Sequence, residues 1–175
     1  DDYALSSLAG LYSMDEDDSL YCDAVERLLK SENLDTESRV NVLSQYIRYK
    51  HPMDSATLRR FMDGMMQLPF DEPAIANVYA NYLIFIKESA ETIIPALERV
   101  LLLEPENVST IVKLLAYAID RNDAEAVIKY ADEAMPYLTD MLEIYHYKGI
   151  SLYLLGKNSE AIEVFKQGVE KRNKN

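Results

Sequence analysis

Apolar residues recur along this chain with the spacing of an α-helix. The clearest stripe, at positions i, i+1, i+4 and i+8, is formed by Ala161, Ile162, Phe165 and Val169. The opposite face is polar and is formed by Glu160, Glu163, Lys166, Gln167 and Glu170. Val25, Leu28 and Leu29 follow the same spacing near the start of the chain. The pattern predicts amphipathic helices, and no segment reads as a β-strand.

Turn-forming segments interrupt the helical pattern. They are rich in Pro, Asn, Asp and Ser and cover residues 31–35, 69–73, 104–107 and 136–140. Proline lacks the N–H that a helix interior needs, whereas Asn and Asp bond to their own backbone and suit turns. We therefore predict helices of about 12–16 residues separated by short turns.

Two chemical features share one period. Tyrosine recurs at intervals of 34, 36, 35 and 36 residues, at Tyr12, Tyr46, Tyr82, Tyr117 and Tyr153. Candidate helix N-caps recur at intervals of 35, 35, 34 and 36 residues, at Ser19, Asp54, Ser89, Asp123 and Ser159. Such a period is typical of stacked two-helix units. We predict one domain over 1–175, built from five units at about 2–35, 36–72, 73–106, 107–140 and 141–175.

The last unit carries a recognisable motif. Gly149, Gly156, Ala161 and Phe165 stand in the order Gly-x6-Gly-x4-Ala-x3-Phe, which resembles the tetratricopeptide repeat (TPR). The preceding unit matches it 35 residues earlier, with Leu114, Tyr117, Ala126 and Tyr130. The resemblance implies an all-α fold: a right-handed superhelical array of antiparallel helix pairs (a TPR-like α-solenoid), with small residues where paired helices touch.

Three positions depart from the motif or qualify it. Arg59 and Arg60 stand where the family prefers a small residue, so the first two units keep the period but little of the signature. Pro95 falls within the second helix of the third unit, and we expect that helix to begin near Thr92 so that Pro95 lies in its first turn. If the Phe165 ring is buried, its replacement by alanine should cost about 3–5 kcal/mol.

The resemblance also implies a binding groove. We expect Tyr12, Tyr46, Tyr82 and Tyr117 to pack between helices, because periodic aromatic residues usually belong to the core. First helices line the concave face in this family, so residues two before and two after a tyrosine are groove candidates: Ser44, Arg48, Ala80, Ile84, Leu115, Ile119, Ser151 and Leu155. Such a groove would take an apolar protein or peptide segment with an acidic edge. The Lys and Asn positions of carboxylate-clamp members are not matched, so we predict no clamp of that type.

The charge of the chain limits the kinds of partner that it is expected to bind. The net charge is −12, and residues 1–38 hold eleven acidic and two basic residues. An acidic chain repels phosphate backbones, so we expect no nucleic-acid binding, even though the related pentatricopeptide repeats bind RNA. Basic residues concentrate between positions 39 and 62, and we expect Arg48, Lys50, Arg59 and Arg60 to attract acidic partners.

Residues that could carry catalysis or bind metal are few. The acidic run Asp15–Asp18 lacks the alternating spacing of a helix–loop–helix calcium site, so we interpret it as a solvated turn. Neither His51 nor His146 has partners at ligand or catalytic spacing, and Cys22 is interpreted as a buried thiol. We expect no metal, no cofactor and no enzymatic activity.

The sequence favours an interaction or scaffold module that binds a protein segment on the concave face. The alternative is a structural spacer or a self-association domain of a larger polypeptide, for example a homodimer. No run of 18 apolar residues is present, so no membrane span is expected. The compartment stays open: the cytoplasm, or outside it if a signal preceding Asp1 was removed.

Overall fold

The computed structural model describes Ser7, Gly10 and residues 18–50, 55–67 and 72–172. Within these residues every regular element is an α-helix and none is a strand. The helices are α1 (Asp18–Leu29), α2 (Thr36–Lys50), α3 (Ser55–Met65), α4 (Pro73–Phe85), α5 (Ala90–Leu103), α6 (Val108–Asp120), α7 (Ala124–Ala134), α8 (Leu142–Leu154) and α9 (Asn158–Arg172). The predicted all-α class is therefore confirmed.

The chain forms two compact units, Asp1–Tyr82 and Leu83–Asn175. In the first unit α2 packs against α1 and α3, and in the second unit each helix from α5 to α9 packs against the next. Because short turns connect these packed neighbours, consecutive helices form antiparallel hairpins. The division of the chain into five repeats within a single domain stays a prediction.

The core of the first unit combines aliphatic and aromatic side chains. Tyr46 is 1% exposed, packs edge-on against Phe61 and donates a hydrogen bond to Glu26 Oε1 at 2.8 Å. Burial, followed by the bond to Glu26, raises the pKa of the Tyr46 hydroxyl well above its usual value. Tyr82 is also buried, as predicted, and Tyr117 is half-buried, whereas Tyr12 lies outside the described residues.

Arg39 is the one charged side chain among the fully buried groups of the described residues. Its guanidinium donates to Glu72 Oε1 at 2.9 Å and to the carbonyl oxygens of Ser31 and Leu34 at 2.7 and 2.8 Å. These bonds tie the start of α2 to the preceding turn and to the residue before α4. Arg39 therefore serves the fold and does not contribute to a basic surface.

The second unit repeats itself with an offset of 34 residues. Asn122 and Gly156 both have positive φ, at 54° and 75°, and each lies in the turn between the two helices of a pair. α6 and α8 begin 34 residues apart, as do α7 and α9. Buried positions match at the same offset, as at Ile111 and Tyr145. The predicted offset of 35 residues for this pair is wrong by one.

This offset identifies the residues equivalent to the motif of the last unit. The positions of Gly149 and Phe165 are held 34 residues earlier by Leu115 and Ala131, both of which are buried. In the last pair of helices the small residue is on the first helix and the large one on the second. In the preceding pair this order is reversed. A Cβ on Gly149 would lie 2.6 Å from Cζ and 2.8 Å from Cδ1 of Phe165, so the ring rests directly on the glycine. The close approach expected from the motif is present.

Several local predictions can be compared with the helix ends. Asp123 is the N-cap of α7 and accepts from the Ala126 N–H at 3.1 Å, and Ser89 is the N-cap of α5 without a side-chain cap bond. Ser19 and Ser159 lie inside helices that begin one residue earlier, because Asp18 and Asn158 are already helical, so these two predictions are wrong. Asp54 lies outside the described residues.

The expected late start of α5 is also wrong. α5 begins at Ala90, directly after the Ser89 cap, and Pro95 lies inside the helix. Pro95 is exposed, so solvent can reach the backbone carbonyl that its missing N–H leaves unpaired. The helix consequently tolerates a proline beyond its first turn.

Candidate functional site

The predicted groove residues differ in exposure. Ala80, Leu115 and Ser151 are 0%, 6% and 6% exposed, so their side chains offer almost no surface to a partner. Ser44, Ile84 and Ile119 are half-buried, and Arg48 and Leu155 are exposed. Whether these five residues line a groove stays a prediction.

The second unit instead exposes an apolar stripe on α8. Tyr147, Ile150 and Leu154 lie at i, i+3 and i+7, and they are 39%, 38% and 70% exposed. The opposite face of the helix is buried and includes Ile144, Tyr145 and Leu152. We call Tyr147, Ile150 and Leu154 the α8 stripe.

Comparison with α6 shows why this face is open. The residues 34 positions before the α8 stripe are Lys113, Ala116 and Asp120, which are half-buried, exposed and exposed. Packing of the next helix pair thus leaves these positions accessible on α6. The α8 stripe is exposed at positions that the repeat itself leaves uncovered, and it carries large apolar side chains where α6 has small or charged ones.

The two groove residues predicted in this part of the chain, Ser151 and Leu155, each lie one position after a residue of the α8 stripe. The groove candidates were counted from the tyrosines, but Tyr153 is equivalent to Ile119 at the 34-residue offset, and Tyr117 is equivalent to Ser151. Counting from Tyr153 therefore reached the buried Ser151 and passed over Ile150. The exposed face is identified by the burial of the α8 residues, which the spacing of the apolar residues does not give.

α8 is firmly held beneath its exposed stripe. Lys148 is 16% exposed at its side chain and pairs with Asp132 of α7, and its Nζ lies 3.9 Å from the Met135 sulfur. On the α9 side, Gly149 contacts Phe165, and a Cβ on Gly168 would lie 3.0 Å from Tyr145 Cβ. These contacts fix the rotation of α8 and hence the direction in which its apolar stripe points.

The α8 stripe has a histidine beside it. His146 is exposed, and its ring lies 5.7 Å from the Tyr147 ring in an edge-on arrangement. Among the described residues no group of three or more His, Cys, Asp or Glu side chains could hold a metal ion. The described residues do not include Asp15, Glu16, Asp17 or His51. Cys22 is half-buried, although it was expected to be buried.

The predicted basic surface is smaller than the sequence indicates. Arg59 pairs with Asp63 at 2.9 Å and lies over the Tyr79 ring, while Tyr79 donates a short hydrogen bond to the same carboxylate. Burial, followed by the Asp63 bond, raises the pKa of Tyr79 to about 12. Arg48 and Arg60 are exposed, and the side chain of Lys50 is outside the described set.

A second polar cluster lies on α5 and α7. Glu98 accepts from Lys129 Nζ and from the Tyr130 hydroxyl, both at 2.8 Å. The bond to Lys129 outweighs the opposing effect of burial and lowers the pKa of Glu98, while burial and the bond to Glu98 raise the pKa of Tyr130. Since each partner is satisfied, this cluster holds α5 and α7 together and presents no activated acid or base.

Several solved structures have a fold similar to that of this chain. A crystal structure of MamA matches with a TM-score of 0.56 at 17% identity, covering 99% of this chain and 92% of that one. A second MamA structure (AMB-1, crystal form P212121) has a TM-score of 0.57 at 16% identity, covering 97% and 92%. No family model matches the chain, and no curated protein matches it. At such low identity the likeness shows the fold alone: an all-helical repeat that the chain shares with MamA.

No helix among the described residues is both long and apolar enough to cross a membrane.

Proposed function

We propose that this chain is a TPR-type, non-catalytic interaction module that binds a protein segment through the α8 stripe. The observation that carries the proposal is the exposure of Tyr147, Ile150 and Leu154, at positions whose equivalents on α6 are half-buried or exposed. Large apolar side chains at helical spacing on a rigid, exposed helix are the usual anchors for an amphipathic helix or an extended apolar segment. MamA shares the fold, which supports a repeat scaffold but says nothing about the partner.

The partner is inferred from the chemistry of the surface. Burying one Ile or Leu side chain contributes about 1.5–3 kcal/mol, so two such contacts suffice for micromolar binding only if polar contacts add to them. Ile119 on α6 and Leu155 at the C-cap of α8 stay proposed groove residues of the second unit. Ile84 also stays a proposed groove residue of the second unit. In the first unit Ser44 and Arg48 stay proposed groove residues, and Arg48 favours an acidic residue in the segment bound there.

A selection from a random peptide library tests the proposal. Purified chain is used to enrich 15-residue peptides, and their affinities are then measured by fluorescence anisotropy. We expect enriched peptides to carry apolar residues at helical or alternating spacing. Ile150→Glu should weaken their binding at least about tenfold, because it loses one buried apolar side chain and places a charge in the contact.

Leu102→Glu is the matched control, since Leu102 is 78% exposed on α5, away from the α8 stripe. It should leave the affinity unchanged. Peptides that bind Ile150→Glu as tightly as the wild-type chain, or a selection that enriches nothing, would contradict the proposal. Circular dichroism of each variant confirms that the helices are intact.

The alternative function is a structural spacer or self-association domain. It is favoured by the exposed apolar side chains of α9, Ile162, Phe165 and Val169.

A further inference from the structure

A concavity of about 350 Å³ lies between α5 and α7 on the second unit. Its apolar wall is formed by Leu101 and Leu102 near the end of α5, by Pro105 in the following turn, and by Tyr130 of α7. A volume of this size is at the lower end of the range for ligand pockets, so it suits one or two side chains of a partner. No residue of the α8 stripe belongs to this concavity.

The charged groups of the concavity do not cancel. Glu98, Lys129 and Glu133 line it beside the apolar wall. Lys129 pairs with Glu98, whereas the half-buried Glu133 carboxylate makes no hydrogen bond or ion pair with any of the described residues. The concavity thus holds two carboxylates and one ammonium. Because a carboxylate that is partly removed from water is costly without a partner, the site favours a cationic ligand.

Glu98 also has an acceptor to spare. Its bonds from Lys129 Nζ and from the Tyr130 hydroxyl both end on Oε1, each at 2.8 Å. Its Oε2 accepts no hydrogen bond within the part of the chain that the structure describes. Both oxygens of a carboxylate can accept. A cation that fills the site therefore finds acceptors on Glu98 and on Glu133, next to an apolar wall.

The repeat shows that packing of the helix pairs does not require this charge. The residue 34 positions after Glu133 is Gln167 on α9, which is uncharged. The residue 34 positions after Glu98 is Asp132, whose carboxylate pairs with Lys148. A helix at the same place in the repeat thus packs without an unpaired carboxylate at this position. The excess negative charge is a property of this concavity and not of the fold.

We infer that the concavity between α5 and α7 binds an arginine side chain of a partner protein together with a large apolar side chain beside it. A guanidinium is planar and carries five N–H donors, so one group can bond two carboxylates, whereas an ammonium is a compact point charge. The apolar neighbour covers Leu101, Leu102 and Pro105, and the water that it excludes no longer screens the ion pairs. This inference goes beyond the proposed peptide binding, which uses the α8 stripe.

NMR chemical-shift perturbation of the full chain tests the inference. The probe is N-acetyl-leucyl-arginine amide, and its control is N-acetyl-leucyl-citrulline amide, which has nearly the same shape without the charge. We expect the arginine peptide to shift the backbone amide signals of Leu101, Leu102 and Glu133 with a Kd of about 1 mM, since so small a peptide makes few contacts. The citrulline peptide should bind at least about tenfold more weakly. An arginine peptide that leaves these signals unmoved, or a citrulline peptide that binds as tightly, would overturn the inference.

A pair of charge-removing variants locates the binding energy. Glu133→Gln keeps the shape of the side chain and should weaken the arginine peptide about fivefold. Glu125→Gln is the matched control, because it removes the same charge from the exposed first turn of the same helix, and it should leave the affinity unchanged. Circular dichroism confirms that both variants are folded. Equal effects of the two substitutions would overturn the inference, since the overall negative charge of the chain would then explain the attraction.

The same variants separate this site from the α8 stripe. Binding of the arginine peptide should fall with Glu133→Gln and be unaffected by Ile150→Glu. Peptides that bind the α8 stripe should show the reverse. Failure of either proposal is thus distinguishable from failure of the other, and an arginine peptide that responds to Ile150→Glu alone would contradict the site between α5 and α7.

Discussion

The contact between Gly149 and Phe165 predicts a change of sign in the effect of one mutation. Alanine is a better helix former than glycine by about 0.5–1 kcal/mol, so Gly149→Ala should stabilise α8 if space allowed. Space does not allow it, since the new Cβ would lie 2.6 Å from Phe165 Cζ and 2.8 Å from Cδ1. Relieving that overlap requires a shift of the ring, and overpacking of this kind costs about 1–3 kcal/mol. We expect Gly149→Ala to lower the free energy of unfolding by about 1 kcal/mol.

The same substitution should become stabilising once the ring is removed. Phe165→Ala alone should cost about 2–3 kcal/mol, less than the 3–5 kcal/mol of a fully buried ring, because Phe165 is 38% exposed. In that background Gly149→Ala should raise the stability by about 0.5–1 kcal/mol. The repeat supports this reasoning, since Ala131 occupies the position equivalent to Phe165 and Leu115 the position equivalent to Gly149.

A double-mutant cycle in urea measures the coupling. The four proteins are unfolded at equilibrium and followed by circular dichroism, and the coupling energy should be about 1.5–2 kcal/mol, the difference between the two effects of Gly149→Ala. Gly64→Ala is the matched control, because no atom of the described residues lies within 4 Å of the position that a Cβ would take there. This control substitution should stabilise the chain or leave its stability unchanged. Additive effects of Gly149→Ala and Phe165→Ala would refute the reasoning.

Four further outcomes are expected. Asp123→Ala should cost about 1 kcal/mol in urea unfolding because it removes a cap bond, whereas Ser89→Ala should cost less because Ser89 makes no such bond. Arg39→Met should cost about 2–4 kcal/mol, since it leaves the half-buried Glu72 carboxylate and two carbonyls without their donor. Stability should fall between pH 10 and pH 12, because the folded pKa of Tyr79 is raised to about 12 and the neutral hydroxyl is favoured below it; Tyr79→Phe should make this fall shallower. Arg48→Glu should weaken the binding of acidic peptides and reduce its salt dependence.

Each of these outcomes has a result that contradicts it. Equal losses for Asp123→Ala and Ser89→Ala would remove the cap bond from the explanation. For Arg39, the exposed Arg60→Met serves as control, and a comparable cost there would show that burial is irrelevant. The prediction for Tyr79 is contradicted if Tyr79→Phe leaves the pH dependence of stability unchanged. The prediction for Arg48 is contradicted if Arg48→Glu leaves the affinity and its salt dependence unchanged.

Local features were predictable where the physics is local. Asp123 caps α7 because a short polar side chain before an apolar stripe can accept from the first N–H groups, whatever the rest of the chain does. Ser89 holds the same position before α5 but makes no side-chain cap bond. The start of α5 was predicted wrongly because it depends on tertiary structure. The missing N–H of Pro95 is tolerated inside the helix since this side of α5 faces solvent, which the sequence does not show. The α8 stripe could not be found by counting from Tyr153, because the tyrosine interval of 36 residues exceeds the helix offset of 34 by two, and each residue is a turn of about 100° around the helix.

The sequence by itself determined the all-α class, the alternation of helices and turns and the two-helix repeat, because backbone bonding, capping and the 3.6-residue spacing of apolar side chains act over a few residues. Only the tertiary structure decided which apolar positions are core and which are surface. Ile128 and Ile162 occupy equivalent positions, yet one packs beneath α8 and α9 while the other faces solvent. Burial depends on a neighbouring helix being present, and the pattern of a single helix carries no information about its neighbours.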